Sequence, residues 1–245
     1  MTARKYPCHR CGQEATEWLP TWEGHFRRWS AHHYCDGHYP AERKDTLMHR
    51  VYQYEHGFQR METWSMGSFP ADDSAGAAAK NAAFDWLEDV DDQWFNLYIH
   101  GPVGSGKTGL AWSCGLALTE SHLWEEIRFV NVRQLLTGIR RSFGSGEQQE
   151  DPLDKLGSIW CLVLDDLGAE RVTDWTREWL ATLIESRYVN EWQTIVTSNY
   201  SPAQLARRLG HDDPVLGKRI VSRLVDNALI IKLDRADLRL RKEAA

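Results

Sequence analysis

The sequence predicts an α/β fold with a parallel sheet, preceded by a small unit of different chemistry. Two observations predict the sheet. Short apolar segments end in polar side chains, and one of them runs directly into a glycine-rich loop and a helical stretch. The third observation is a cluster of cysteine and histidine pairs within the first 60 residues. A chain of 245 residues has room for one or two domains.

Composition excludes several classes of protein. Hydrophobic residues make up 42% and charged residues 26%, which rules out wholesale disorder. No segment approaches the roughly 18–20 apolar residues of a membrane span, and the first residues lack the apolar stretch of a secretory signal. We therefore expect no membrane association and a cytoplasmic location. A net charge of −6 excludes a protein that coats duplex DNA by charge alone.

The first unit carries two ligand turns. Cys8 and Cys11 form a Cys-x-x-Cys turn, and Cys35 and His38 form a Cys-x-x-His turn. Two such turns can direct four ligands at one tetrahedral Zn²⁺. About 40 residues with few aliphatic side chains bury too little surface to fold unaided. We therefore expect residues 1–42 to form a structural zinc-binding domain that contacts a partner.

Other interpretations of these cysteines remain open. His9, His32 and His33 compete with His38 for the fourth ligand position. A disulfide is disfavoured because the unit holds an odd number of cysteines and because a cytosolic protein keeps its thiols reduced. A redox pair is disfavoured because no βαβ pattern surrounds the cysteines, and incidental cysteines in a small apolar core are the remaining alternative.

The rest of the chain divides into a connector and a second domain. Residues 43–76 are predicted to be a helical connector that ends in a turn-rich break around Pro70. The second domain is predicted to span residues 77–245 and to open with a helix over 77–90.

A nucleotide motif opens the sheet of the second domain. The apolar segment 96–100 runs into GPVGSGKT, which matches G-x-x-x-x-G-K-[ST] in full, and a helical stretch follows over 109–120. In this motif backbone N–H groups surround the phosphates of ATP, the lysine reaches the β- and γ-oxygens, and the threonine hydroxyl binds Mg²⁺. The predicted binding residues are Gly101, Pro102, Val103, Gly104, Ser105, Gly106, Lys107 and Thr108.

Two further apolar segments end in polar side chains. WCLVLDD places Asp165 and Asp166 at the end of a buried strand, where α/β proteins form their sites. Asp165 is the candidate second ligand of Mg²⁺, and Asp166 is the candidate for orienting and deprotonating the attacking water. Asn199 ends the segment TIVTSN and could hold that water, although a plain turn before Ser201 is the alternative.

With these elements in order, the chain resembles the DnaC/IstB-like branch of the AAA+ ATPases. The likeness covers about residues 93–241 and rests on GPVGSGKT, LVLDDLGAERVTDWTREWLATLIESRY, TIVTSN and GKRIVSRLVDNALIIKLD. It implies a three-layer P-loop sandwich with strand order 5-1-4-3-2 and strands near 96–101, 127–132, 159–165, 193–198 and 228–233. It also implies Walker A roles for Lys107 and Thr108, Walker B roles for Asp165 and Asp166, and a sensor 1 role for Asn199.

The resemblance gives Arg223 the place of the arginine finger, with Arg219 one helical turn earlier on the same face. Such a finger reaches the γ-phosphate of ATP on a neighbouring subunit, so a homo-oligomer is implied. From the residues alone, a solvated helix face with intrachain ion pairs is the preferred interpretation of these arginines.

The resemblance also implies a shortened domain. Residues 234–245 are too few for the helical lid of larger AAA+ proteins, so we expect that lid and its second sensor arginine to be absent. One side of the nucleotide would then be completed by a neighbour, and hydrolysis by the isolated protein should be weak.

Two functions follow from the resemblance. The first is an ATP-dependent helicase loader that binds the replicative hexameric helicase and helps to place it on single-stranded DNA. The alternative is an IstB-like ATPase that binds duplex DNA and activates a transposase. The cysteine pairs favour the loader, since DnaI-type loaders carry a zinc-binding front domain. A third class, an adaptor that uses nucleotide only structurally, is disfavoured by the intact acids at the end of WCLVLDD.

A DNA contact is expected after the second strand. Initiator-type AAA+ proteins insert a helix there, and RQLLTGIRRSF supplies Arg140, Arg141 and Phe143 for phosphate neutralisation and base stacking. A solvated helix end is an equally good interpretation of the two arginines.

Overall fold

The computed structural model describes residues 61, 64–89, 96–121, 126–142 and 152–240. The chain divides into two compact units, residues 1–49 and residues 50–245, and all the described residues belong to the second. The division into domains at residues 42 and 76 stays a prediction. Within the described ranges, no helix is both long and apolar enough to cross a lipid bilayer.

Helices and strands alternate along this unit, except that two helices lie between β2 and β3 and two between β4 and β5. The helices are α1 (Ser74–Asp89), α2 (Lys107–Ser121), α3 (Val132–Ser142), α4 (Pro152–Gly157), α5 (Asp174–Val189), α6 (Pro202–Leu209) and α7 (Pro214–Val225). The strands are β1 (Asn96–His100), β2 (Ile127–Asn131), β3 (Cys161–Asp165), β4 (Gln193–Ser198) and β5 (Ala228–Lys232).

The five strands form one parallel sheet in the order β2-β3-β4-β1-β5. This confirms the order inferred from the resemblance. Because the strands are parallel and in close register, their carboxyl ends lie at one edge of the sheet, where His100 pairs with Ser198 and Asn131 pairs with Asp165. The polar residues that end these strands therefore meet at one edge.

Helices cover both faces of the sheet. The larger core joins apolar side chains of β1, β2, β3 and β4 to those of α3, α5 and α7, with Leu162, Leu164 and Leu180 fully buried at its centre. α1 and α2 pack together, and α2 contacts β1, β2, β3 and β4. Strands buried on both faces account for the near-continuous apolar runs in the sequence.

Two elements begin at a residue other than the predicted one for reasons that the structure shows. α1 begins at residue 74 and not at 77, because Asp73 caps it: the Gly76 N–H donates to Asp73 Oδ1 at 2.7 Å. β3 begins at residue 161 and not at 159, because the Ile159 carbonyl accepts a hydrogen bond from Arg187 Nη1 at 2.7 Å.

Arg187 is a buried cation in the core, with a relative exposure of 1%. Its Nη1 also donates to the Leu156 carbonyl at 2.8 Å, its Nε donates to Thr194 Oγ1 at 3.0 Å, and its Nη2 donates to the Gln193 carbonyl. Burial lowers the pKa of this guanidinium to about 10. Arg187 therefore joins α4, α5 and the start of β4 well away from the polar edge of the sheet.

Candidate nucleotide site

The glycine-rich loop connects β1 to α2 at the polar edge of the sheet. The Gly101 N–H donates to the Ser198 carbonyl at 3.3 Å, which ties the loop to the neighbouring strand β4. The loop ends where α2 begins, and the Leu110 N–H donates to the Gly106 carbonyl at 3.0 Å. The motif thus has the strand, loop and helix context that phosphate binding requires.

Gly104 and Gly106 are required by their backbone and by close neighbours. Their φ angles are 75° and 96°, a region that residues with a side chain rarely adopt. A Cβ on Gly104 would lie 1.9 Å from the carboxylate of Asp237, and one on Gly106 would lie 2.8 Å from Arg235 Nη2. A segment that follows β5 therefore packs directly on the loop.

Lys107 is the first residue of α2 and is buried, with a relative exposure of 7%. Its Nζ donates to the Pro102 carbonyl at 2.7 Å, so the ammonium lies inside the loop. Burial lowers the pKa of Lys107, and the carboxylates of Asp166 and Asp165 act in the opposite direction. The cation and two acids share this edge of the sheet, as the sequence predicts.

Asp165 ends β3 and is also buried, with a relative exposure of 6%. Thr197 Oγ1 donates to Asp165 Oδ1 at 2.7 Å. Burial raises the pKa of Asp165, while hydrogen bonds from Thr197 and Thr108 oppose that rise. The structure therefore brings Thr108 and Asp165 together. A hydroxyl and a carboxylate are the oxygen donors that suit Mg²⁺, so these two residues would hold that ion.

Asp166 follows in a left-handed conformation with φ of 58°. Its N–H donates to Thr197 Oγ1 at 2.9 Å, and Asn199 Nδ2 donates to Asp166 Oδ1 at 3.1 Å. Asx residues tolerate this conformation better than most side chains, and such strain is concentrated at functional sites. The arrangement turns the second acid out of the strand and fixes it against Asn199. The structure thus joins the two residues that the sequence assigns to the attacking water.

Arg223 lies on α7 in an intrachain ion pair. Its Nε is 2.7 Å from Glu185 Oε2, its Nη2 donates to Glu185 Oε1 at 2.8 Å, and its guanidinium lies 5.4 Å from the centre of the Tyr188 ring. Arg219 is exposed one turn earlier on the same helix. These contacts match the ion-pair interpretation of the sequence, and a role towards a neighbouring subunit stays a prediction.

Of the three residues expected to contact DNA, the structure describes the side chain of Arg140. Arg140 is exposed near the end of α3, its guanidinium lies 4.8 Å from the centre of the Trp175 ring, and its Nη2 donates to Thr173 Oγ1 at 3.2 Å. The backbone of Arg141 belongs to α3, but its side chain lies outside the described residues, as does Phe143.

The predicted zinc ligands Cys8, Cys11, Cys35 and His38 also lie outside the described residues. Within the ranges that the structure describes, no group of three or more cysteine, histidine, aspartate or glutamate side chains is placed to hold a metal ion. The zinc site therefore stays a prediction.

Two residues of the site are not predicted from the sequence. Thr197 could have been found, because a buried polar side chain inside an apolar strand must have a hydrogen-bond partner. Arg235 lies beyond the last strand, and its contact with the glycine-rich loop spans 130 residues of sequence. No local pattern marks such a contact.

A family model and several known proteins match this chain. The family model for the IstB-like ATP binding protein matches residues 68–245. The chain is 30% identical over 146 residues to the replicative helicase loader DnaI of Bacillus subtilis (strain 168), covering 56% of this chain and 45% of DnaI. It is 29% identical over 164 residues to the putative insertion sequence ATP-binding protein y4uH of Sinorhizobium fredii, covering 66% of this chain and 62% of that protein.

A solved structure has a similar fold. The crystal structure of the DnaC helicase loader matches with a TM-score of 0.60 and 26% identity, covering 71% of this chain and 98% of the solved one. The curated relatives are longer than the matched segment, since the chain spans less than two thirds of the length of DnaI or of y4uH.

Proposed function

Because the chain belongs to the family of IstB-like ATP-binding proteins, we propose that it hydrolyses ATP and works as a helicase loader. In this proposal it binds the replicative hexameric helicase and helps to place it on single-stranded DNA. The observation that carries the hydrolytic part is the contact of Asn199 with Asp166, beside the buried pair of Asp165 and Thr197.

Each residue of the site has a role in this proposal. The N–H groups of the glycine-rich loop and the Lys107 ammonium bind the phosphates, while Thr108 and Asp165 hold Mg²⁺. The metal neutralises charge on the phosphate oxygens when it is bound. Asp166 orients the attacking water and accepts its proton, and Asn199 fixes the carboxylate that does so.

Arg223 acts in trans in this proposal. To reach ATP on a neighbouring subunit, the Arg223 side chain has to leave Glu185, with which it forms a partly exposed pair. Such a pair contributes little to stability, so assembly can open it at small cost. Arg219, exposed on the same face, would approach the same nucleotide.

A mixing experiment tests the trans role. Lys107→Ala should abolish ATP binding, and Arg223→Ala should keep binding but lose hydrolysis measured with single-stranded DNA present. A mixture of the two inactive variants should regain activity, because the Lys107→Ala subunit donates an intact arginine to the ATP held by the other. Wild-type turnover by Arg223→Ala alone would remove the assignment, and unchanged nucleotide affinity of Lys107→Ala would remove the nucleotide site.

Single-stranded DNA contacts Arg140 in this proposal. Its exposed guanidinium next to an aromatic ring offers charge together with a stacking surface. Loss of one phosphate contact should lower the salt dependence of binding to an oligonucleotide by about 0.7 in the logarithmic slope. Arg140→Ala should therefore flatten this slope, and an unchanged slope would contradict the contact.

The alternative is an ATPase that binds duplex DNA and activates a transposase, which the likeness to y4uH supports. The proposed zinc-binding unit, with Cys8, Cys11, Cys35 and His38 as ligands, favours the loader. Capture by the tagged full chain separates the two. Retention of a replicative helicase, lost with Cys8→Ser/Cys11→Ser, would support the loader. Retention of a transposase instead would support the alternative.

A further inference from the structure

Arg235 is a buried cation at the point where the chain after β5 crosses the glycine-rich loop. Its side chain is 3% exposed, and its Nε donates to the Ser105 carbonyl at 2.7 Å. Three residues later, the Leu238 N–H donates to the Gly104 carbonyl at 2.9 Å. The segment 233–240 thus binds two successive carbonyl groups of the loop.

These contacts bear on how the loop presents its N–H groups. Adjacent peptide units of a phosphate-binding loop turn their N–H groups towards the anion, which leaves their carbonyls on the outside and in need of donors. Here the outer carbonyls of Gly104 and Ser105 receive hydrogen bonds from Leu238 and Arg235. Two donors from the segment after β5 therefore satisfy two successive carbonyl groups of the loop.

Arg235 also holds a third segment. Its Nη1 donates to the Pro70 carbonyl at 2.8 Å and lies 3.8 Å from Asp73 Oδ1, and its guanidinium lies 4.9 Å from the centre of the Phe69 ring. One side chain thus joins the residues before α1, the glycine-rich loop and the segment after β5.

The surrounding glycines are fitted to this guanidinium. A Cβ on Gly76 would lie 2.2 Å from Arg235 Nη1, and one on Gly106 would lie 2.8 Å from Nη2. Gly76 is in α1, where glycine lowers helix propensity, and its presence there is explained by the space that the guanidinium and the Pro70 carbonyl, 2.7 Å from such a Cβ, occupy. Two glycines from different elements therefore make room for one guanidinium group.

We propose that Arg235 is a positioning residue for nucleotide binding, which holds the glycine-rich loop in its phosphate-binding conformation and fixes residues 69–73 beside it. The inference rests on the proposed function only in that the phosphates of ATP bind in this loop. Arg235 need not touch the nucleotide, because it acts through the carbonyls of Ser105 and Pro70.

A purely structural role is the competing explanation, and Arg187 provides a matched control. Both side chains are buried guanidinium groups that donate to backbone carbonyls, but Arg187 binds Leu156 and Ile159, away from the loop. If Arg235 only stabilises the fold, removing either arginine should affect ATP affinity in the same way. If it positions the loop, only Arg235 should matter for affinity.

The experiment compares Arg235→Met with Arg187→Met in the full chain. ATP affinity is measured with a fluorescent ATP analogue, and thermal stability is measured in parallel. We expect Arg235→Met to weaken affinity at least tenfold, whereas Arg187→Met should stay within twofold of the wild type while it unfolds at a lower temperature. Equal affinity of Arg235→Met and the wild type, or equal losses in both variants, would overturn the proposal.

Chemical rescue keeps the test decisive if the methionine variant folds poorly. Arg235→Ala leaves a space of the size of the lost side chain, which guanidinium ion at non-denaturing concentration can enter. We expect added guanidinium to restore at least threefold in affinity to Arg235→Ala and to do nothing for Arg187→Ala. Absence of rescue in a folded Arg235→Ala variant would overturn the proposal. Failure of the wild type itself to bind ATP would instead contradict the proposed function.

Discussion

Thr197 shows how one hydroxyl can organise a pair of acids. It donates to Asp165 and accepts from the N–H of Asp166, so it fixes both the side chain of the first acid and the backbone of the second. The left-handed conformation of Asp166 lies in a region of backbone space that is costly for side-chain-bearing residues. We therefore regard Thr197 as the support of this turn.

Replacement by an isosteric apolar residue tests that role. Thr197→Val removes both hydrogen bonds without changing the volume of the side chain, so Asp165 and Asp166 lose their common anchor. We expect steady-state ATP hydrolysis to fall about tenfold, equivalent to about 1.4 kcal/mol in the barrier, with ATP affinity nearly unchanged. Thr197→Ser retains the hydroxyl and should keep most of the activity. Full turnover by Thr197→Val would show that the anchor is dispensable.

At the scale of single residues, sequence spacing predicted the residues expected to contact nucleotide or Mg²⁺ and missed the residues that support them. Phosphate binding demands a fixed loop pattern, which predicts Lys107 and Thr108. Parallel strands bring their carboxyl ends together, which predicts Asp165, Asp166 and Asn199. Thr197 and Arg235 were missed because they act on these residues, not on the nucleotide, and such support can come from any part of the chain.

At the scale of elements, β1 is joined to the chain beyond β4 by Tyr98. Its hydroxyl donates to the Tyr200 carbonyl at 2.9 Å, and the side chain is fully buried. Burial raises the pKa of Tyr98 to about 12, while a hydrogen bond with Ser198 acts in the opposite direction. The neutral phenol is therefore favoured in the folded protein.

This shift predicts a pH dependence of stability. Between about pH 10 and pH 12 the unfolded chain ionises Tyr98 and the folded chain does not, so the stability that this group contributes is present below pH 10 and lost above it. We expect the free energy of unfolding by urea to fall over this range by about 2–3 kcal/mol more in the wild type than in Tyr98→Phe. Parallel pH profiles of the two proteins would show that Tyr98 does not titrate in this way.

The bounds of elements were predicted to within a few residues, and two of the differences have physical causes in the structure. The start of α1 is set by Asp73 as a cap and the start of β3 by the donation of Arg187 to the Ile159 carbonyl. The first cause is a local pattern of a kind that sequence contains. The second depends on a residue in α5, so only the folded structure reveals it.

At the scale of the whole molecule, the order of strands followed from the family resemblance. Apolar segments alone predict parallel strands but not which ones are neighbours, because crossover connections allow several orders. The observed order makes β3, β4 and β1 neighbours, which explains why residues that follow these strands converge on one site.

The proposed zinc-binding unit lies in residues 1–49, which are not part of the same compact unit.

Independence of the two units is a testable expectation. We predict that the purified chain contains one Zn²⁺ and that Cys8→Ser/Cys11→Ser lacks it, as measured by elemental analysis. Because the candidate nucleotide site draws its residues from 69–240, ATP affinity should be the same in both proteins to within about twofold. Lys107→Ala is the control that keeps zinc and loses ATP. Loss of ATP binding together with zinc would contradict the two-unit organisation.

The contact of Arg235 with the glycine-rich loop also has a consequence for biosynthesis. The loop leaves the ribosome long before its support does, because 130 residues separate Ser105 from Arg235, and 165 separate Pro70 from it. A contact over this sequence separation can form only once residue 235 has been synthesised, as is also true of the pairing of β1 with β5. A polypeptide whose translation stops just short of residue 235 would therefore display the complete phosphate-binding motif and still lack the side chain that keeps it in shape.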